Sequence, residues 1–344
     1  MRGRFGTMSN FPYLVPFYGL ASAFLFALSN HFSNMGLQRS DARSGTLVSI
    51  ATSAGAYWLL APCFVKSSYW MTTAAFIFAV VGIIRPALST TLAISSIKMM
   101  GPTLTSTLTA VTPIFGAIFA ILLLGEQLSL ALAIGTSAVV AGAVVSAWNP
   151  QGLGRTWPLW AIGLPLGASL IRAIGHIATK YGLLEVDSPS FAVLVGNTVS
   201  LGTSLLVFKR EVRPLLGVGG TNLWFVAAGI ANALSVQFLN NALAIGDVVA
   251  VIPIVSATPL FTLLMTFLYF GRETITWRTI ATIVLIVPGV IMVAQSGGDR
   301  KAADTRPRHE QLGRYARVPS TGGQNVASPA CLPMSRSEVP QRSR

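Results

Sequence analysis

Ten apolar runs punctuate the chain, at residues 15–35, 45–65, 72–95, 102–124, 129–148, 158–179, 190–208, 223–244, 250–270 and 277–295. Each is near the roughly 20 residues that a helix needs to cross the hydrocarbon of a bilayer. Turn-forming or charged residues separate the runs, among them Gln38-Arg39-Ser40-Asp41, Lys66-Ser67-Ser68, Gly101-Pro102 and Gly125-Glu126. The runs are rich in Gly, Ala, Ser and Thr, which let helices approach closely in lipid. The seventh is the most polar, carrying Asn197 and several Ser and Thr. The pattern predicts an all-α membrane protein with ten transmembrane helices. Residues 149–157 break it as a linker, and residues 296–344, rich in Arg, Ser, Pro and Gly, read as a disordered basic tail.

Composition agrees with this reading. Hydrophobic residues are 52% and charged residues 10% of the 344, and the mean hydropathy is +0.64. A soluble domain carries roughly a quarter charged residues, so most of this surface must face something other than water. The net charge of +13 suggests nucleic acid at first sight. However, nine of the 24 Lys and Arg follow Gly298, and most others lie between apolar runs, where basic residues anchor spans to headgroups. No basic stripe interleaved with aromatics occurs, so no nucleic-acid partner is expected. Cys63 and Cys331 offer neither a disulfide framework nor a metal site, and His31, His176 and His309 lack ligand spacing. No metal or cofactor is expected. The first run lacks a small-x-small cleavage site and reads as a span, with Met8 an alternative start.

The runs fall into two copies, residues 1–148 and 158–295, offset by about 146 residues. Gly36-Leu37 and Asp41 match Gly182-Leu183 and Asp187. Gly82-Ile83 with Ala87-Leu88-Ser89 matches Gly229-Ile230 with Ala233-Leu234-Ser235. Thr112-Pro113-Ile114-Phe115 matches Thr258-Pro259-Leu260-Phe261, Gly125-Glu126 matches Gly271-Arg272-Glu273, and Gly142 matches Gly289. Five spans per copy is an odd number, so the second copy starts on the opposite side of the membrane. The expectation is two inverted five-helix repeats, with a site near the midplane between them.

These landmarks resemble the EamA-like family of the drug/metabolite transporter superfamily. The resemblance covers about residues 15–295. It rests on a first span ending Met35-Gly36-Leu37, a polar turn with Asp41, Thr112-Pro113 early in the fourth span, and Leu122-Leu123-Leu124-Gly125-Glu126 closing it. The second half repeats this more loosely. The resemblance implies ten helices, metabolite or amino-acid export, and both termini in the cytoplasm. It fixes no substrate. Loop charges do not confirm the orientation: with both termini inside, the outer loops carry Arg39, Arg43, Lys98, Arg155, Lys209, Arg210, Arg213, Arg272 and Arg278, and the inner loops mainly Lys66 and Lys180.

Charges inside spans are few and therefore informative. Arg85 lies near the middle of the third span, followed by Pro86, and reads either as a cavity-facing cation or as a structural one bonded to carbonyls. Asn232 takes its place in the eighth span. Arg172, His176 and Lys180 are spaced by four and share a helix face. Phe26, Asn30 and Asn34 are their first-span counterparts. Lys180 alone reads as an interfacial anchor. In the eighth span Gln237 and Asn241 share a face; they would either orient a substrate or tie helices together. The expected substrate-binding set is thus Arg85, Arg172, His176, Asn30, Asn34, Asn232, Gln237 and Asn241. No Asp or Glu lies deep in a span, which disfavours proton-coupled export of cations and favours an anionic or zwitterionic cargo. No nucleophile–base pair or ligand cluster indicates an enzyme. The sequence therefore predicts a multi-pass protein of the bacterial inner membrane that transports a small metabolite; a membrane-embedded sensor or scaffold is the alternative. Its expected partners are a small-molecule substrate and the lipid bilayer, with a homodimer left open.

Overall fold

The computed structural model describes residues 13–38, 42–147, 158–207, 221–270 and 277–304. The packing below is that of the unit Met1–Ala302. The described residues are helical almost throughout. The first half contains α1 (Leu14–Leu37), α2 (Ala42–Phe64), α3 (Thr73–Ile83), a π-helical segment (Ile84–Ser89), α4 (Thr90–Thr109), α5 (Thr112–Leu124) and α6 (Leu130–Ala147). The second contains α7 (Gly163–Glu185), α8 (Pro189–Val207), α9 (Thr221–Ile245), α10 (Val248–Val255), α11 (Thr258–Phe270) and α12 (Trp277–Asp304). Nine stretches among the described residues are long and apolar enough to cross a bilayer, and α3 is a shorter apolar helix of 11 residues. The polar seventh run forms α8 and meets that test; the third run is the interrupted one.

The interruption has a cause visible in the repeat. Gly82 to Ser89 is one residue longer than Gly229 to Ser235, because Ile84-Arg85-Pro86 stands where the second half has Ala231-Asn232. A helix absorbs one extra residue by widening a single turn to π geometry, and the π segment Ile84–Ser89 sits at that place. In the second half α9 runs through without a break.

A second kind of break occurs in both halves. Pro113 cannot donate to the carbonyl of Thr109 four residues back, nor Pro259 to that of Val255. In each case the preceding threonine supplies the missing donor. Thr112 Oγ1 donates to the Thr109 carbonyl at 2.7 Å, and Thr258 Oγ1 donates to the Val255 carbonyl at 2.7 Å. Thr-Pro is therefore a break that repairs itself where no water is present to do so. It separates α4 from α5 and α10 from α11 at matching points.

The halves interlock through exchanged contacts. Helix α1 packs along α9, α2 packs on α8 and α9, and α3 packs on α7 and α8. Ser53 Oγ in α2 donates to the Gly229 carbonyl at 2.7 Å, and its counterpart Ser200 in α8 donates to the Gly82 carbonyl at 2.9 Å. Ser235 Oγ donates to the Ser22 carbonyl at 2.8 Å, and Ser89 Oγ to the Ala168 carbonyl at 3.5 Å. Phe225 lies against Gly36, and Phe78 against Gly182. Each pair converts into the next when the two copies trade places, as a two-fold relation between them requires.

The few acidic groups at one end of the bundle sit on helix termini. Glu126, just past the left-handed Gly125 (φ 66°) that ends α5, accepts from the amides of Val248 and Val249 at 2.9 Å each, capping α10. Glu185 accepts from the Thr73 amide at 3.1 Å at the start of α3. Lys180 Nζ donates to the carbonyls of Leu243 and Gly246 at 2.6 and 2.8 Å, at the end of α9. Negative charge at N-termini and positive charge at a C-terminus complement the helix dipoles. Burial pushes the Glu126 carboxyl above its ordinary pKa, while the Val249 and Val248 amides pull it back.

A Cβ at Gly229 would fall 2.4 Å from the Ser49 carbonyl oxygen, whereas at Gly55 it would meet nothing within 4 Å. Gly229→Ala is expected to lower stability by about 1–3 kcal/mol through forced separation of α2 and α9. Gly55→Ala, on an open helix face, is expected to raise it by about 0.5–1 kcal/mol. Thermal unfolding midpoints in detergent check both signs.

Candidate functional site

A cavity of about 260 Å³ lies among the helices of both halves. Its lining comes from α1, α2, α3 and the π segment on one side and from α7, α8 and α9 on the other. The polar side chains that face it are Arg172 and Thr179 from α7, Asn197 and Ser200 from α8, Asn232 and Asn240 from α9, and Ser89 from the π segment. Arg172 is the charged residue among them; its Nε donates to Ser89 Oγ at 3.2 Å. That bond uses one of the five N–H donors of the guanidinium. Ser89, about one helix turn beyond the inserted residue, is placed by the π segment to receive it.

The amides hold hydrogen-bonding capacity in reserve. Asn240 is buried at 3% exposure. Its Oδ1, and Nδ2 of Asn197, are buried and meet no partner among the described residues. Leaving such groups unpaired costs about 1–3 kcal/mol each, so they represent binding capacity for a molecule that can pair with them. The cavity thus offers one cation, several neutral donors and acceptors, and no carboxylate among its described lining residues.

The expected site residues divide. Arg172 and Asn232 line the cavity. His176 is buried in α7 but is not part of the lining. Gln237 and Asn241 bond within the packing: Tyr57 Oη donates to Gln237 Oε1 at 2.9 Å, and Gln237 Nε2 donates to Asn241 Oδ1 at 3.0 Å, tying α9 to α2. Asn30 and Asn34 are exposed on α1 and do not reach the cavity. Arg85 falls in the π segment, and its side chain lies outside the described residues; Glu273 lies outside them altogether. Sequence reasoning passed over Asn197, which had registered only as the residue that makes the seventh run polar. Its polarity within a span was the available signal.

Two matches to the EamA-like transporter family cover residues 14–148 and 159–295, one per half. The chain belongs to the EamA-like transporter family. A solved structure described as "Crystal structure of protein" superposes with a TM-score of 0.69 at 17% identity, over 82% of this chain and 97% of that one; at that identity the likeness is one of fold. None of the curated proteins compared matches the chain. Membership of the EamA-like family and nine apolar helices among the described residues make the chain an integral, multi-pass membrane protein.

In this EamA-family chain Gln237 joins α9 to α2 through its bond to Tyr57. Tyr57→Phe is expected to lower stability by about 0.5–1.5 kcal/mol and to leave solute movement in liposomes at the wild-type rate. A loss of movement at unchanged stability would put Gln237 in the site instead.

Proposed function

We propose that this EamA-family protein is a secondary transporter that exports a small anionic or zwitterionic metabolite or amino acid across the bacterial inner membrane. The carrying observation is the cavity between the halves with Arg172 as its described charge. A cation with no carboxylate among the described lining residues of a low-dielectric cavity favours a negatively charged group on the cargo. On this reading the chain makes ten crossings, with α3 and the π segment together forming the third. The two halves are inverted repeats, as five crossings per half and the exchanged Ser–carbonyl pairs favour. Rocking of one half against the other exposes the cavity to each side in turn. Arg85, on the π segment that interrupts the third span, is proposed as a second cation for the same anionic group.

Purified full-length protein in liposomes preloaded with an amino-acid mixture is expected to drive counterflow of labelled amino acids. Arg172→Gln and Arg85→Gln are each expected to reduce the initial rate by roughly tenfold or more, the loss of one charge-assisted hydrogen bond, at an unchanged size-exclusion profile. Wild-type rates in both variants would remove the anion site. If neither amino acids nor small carboxylates move, the transporter reading falls.

A further inference from the structure

Two halves related by a two-fold would line a shared cavity with two like walls. The described walls differ. The bonds Ser235–Ser22 and Ser89–Ala168 put α1 and α7 in register, so that Phe26 corresponds to Arg172. The bonds Ser53–Gly229 and Ser200–Gly82 do the same for α2 and α8, so that Ile50 corresponds to Asn197. All four residues line the cavity. At both pairs of equivalent positions the first half places an apolar side chain and the second a polar one. Phe78 of the first half adds a ring to the apolar side; its counterpart Phe225 is not among the lining residues, although each ring packs on the matching glycine of the other half. The polar side chain described on the first-half wall, Ser89, is taken up by Arg172.

We propose that the cavity is built for a bifunctional cargo, a small organic carboxylate bearing an apolar group. The carboxylate is held by Arg172 and the second-half amides, and the apolar group packs against Phe26, Ile50 and Phe78. The cargo role rests on the transporter reading above; the divided recognition does not. The chemistry excludes the neighbouring classes in turn. An inorganic anion or a sugar phosphate would satisfy Arg172 and leave the apolar wall facing water or a polar surface, forgoing its burial. A purely apolar molecule would cover that wall and leave the guanidinium without a counter-charge. Only a molecule with both parts uses both walls.

Calorimetric titration of the full-length protein in detergent tests the division, with 3-phenylpropionate, lactate and uncharged 3-phenylpropanol as probes. 3-Phenylpropionate is expected to bind at least roughly tenfold more tightly than either of the others. Arg172→Gln is expected to erase its advantage over 3-phenylpropanol. Ile50→Asn and Phe26→Asn are expected to erase its advantage over lactate, and Phe26→Leu to keep it. Where an Asn variant fails to fold, Ile50→Ala reads the same wall and is expected to lose about half of the logarithmic advantage over lactate. The proposal is overturned if lactate binds as tightly as 3-phenylpropionate, if 3-phenylpropanol does, if the wall substitutions leave the ratios unchanged, or if none of the probes binds. Binding with these ratios but without counterflow in liposomes would defeat the transporter reading and leave the divided cavity standing. Counterflow of polar anions without preference for the apolar carboxylate would do the reverse.

Discussion

Serine hydroxyls bonded to the carbonyls of the opposite half hold this structure together. Ser53 reaches the Gly229 carbonyl and Ser200 the Gly82 carbonyl, and both bonds need the small residue at the contact so that the backbones can meet. In lipid, apolar side chains gain little by leaving the hydrocarbon for one another, so close packing and hydrogen bonds must supply the association. Each such bond contributes modestly, about 0.6 kcal/mol on average between membrane helices. Their repetition between α2 and α9, α8 and α3, α9 and α1, and the π segment and α7 makes the interface specific. An interface assembled from many weak contacts can also break a few at a time, which the proposed rocking of the halves requires.

The same scarcity of water explains the helix breaks. A bilayer tolerates a broken helix only where the freed backbone groups find partners in the protein. Thr112 and Thr258 provide them within one turn of the prolines that cause the need, so the Thr-Pro pair recurs as a unit in both halves. The π segment solves a different problem. One extra residue in the first half would rotate everything after it by about 100° in an ordinary helix. Widening a turn absorbs it and keeps Ser89 in register with Ser235, so that the exchanged bonds on either side of the insertion, at Gly82 and at Ser89, are both kept.

Much of the fold was legible because lipid imposes long apolar runs and a repeat preserves its small residues. Gly82, Gly229, Thr112-Pro113 and Thr258-Pro259 appeared as sequence landmarks and reappear as contacts. The third span was harder to read than the seventh. Hydropathy registers Asn197 as a weakness in α8 but does not register Ile84-Arg85-Pro86, whose effect is one of register. The site was only partly legible. Spacing by four places Arg172 with His176, and Asn30 with Asn34, on shared faces, but in a helix apolar on most sides it does not say which face turns inward. Arg172 lines the cavity; Asn30 and Asn34 point out from α1. Gln237 and Asn241 illustrate the other ambiguity of polar residues in spans, since an amide that fastens helices looks the same in sequence as one that awaits a cargo.

Duplication and divergence then divide the labour along the chain. Positions where the two copies stay alike, Ser53 with Ser200, Gly82 with Gly229 and Thr112 with Thr258, serve the backbone: they close a hydrogen bond or clear a carbonyl, and any change would be felt as lost packing. Phe26 with Arg172 and Ile50 with Asn197 line the cavity instead, and Arg172 reaches the other half through the Ser89 hydroxyl rather than through a backbone carbonyl. A substitution there costs the scaffold little, so those positions could drift apart in chemistry while the frame around them stayed two-fold. A symmetric frame with an asymmetric lining is what the proposed activity calls for. The frame must be able to exchange one tilt for another at similar energy, and the lining must distinguish one end of a small molecule from the other in either tilt.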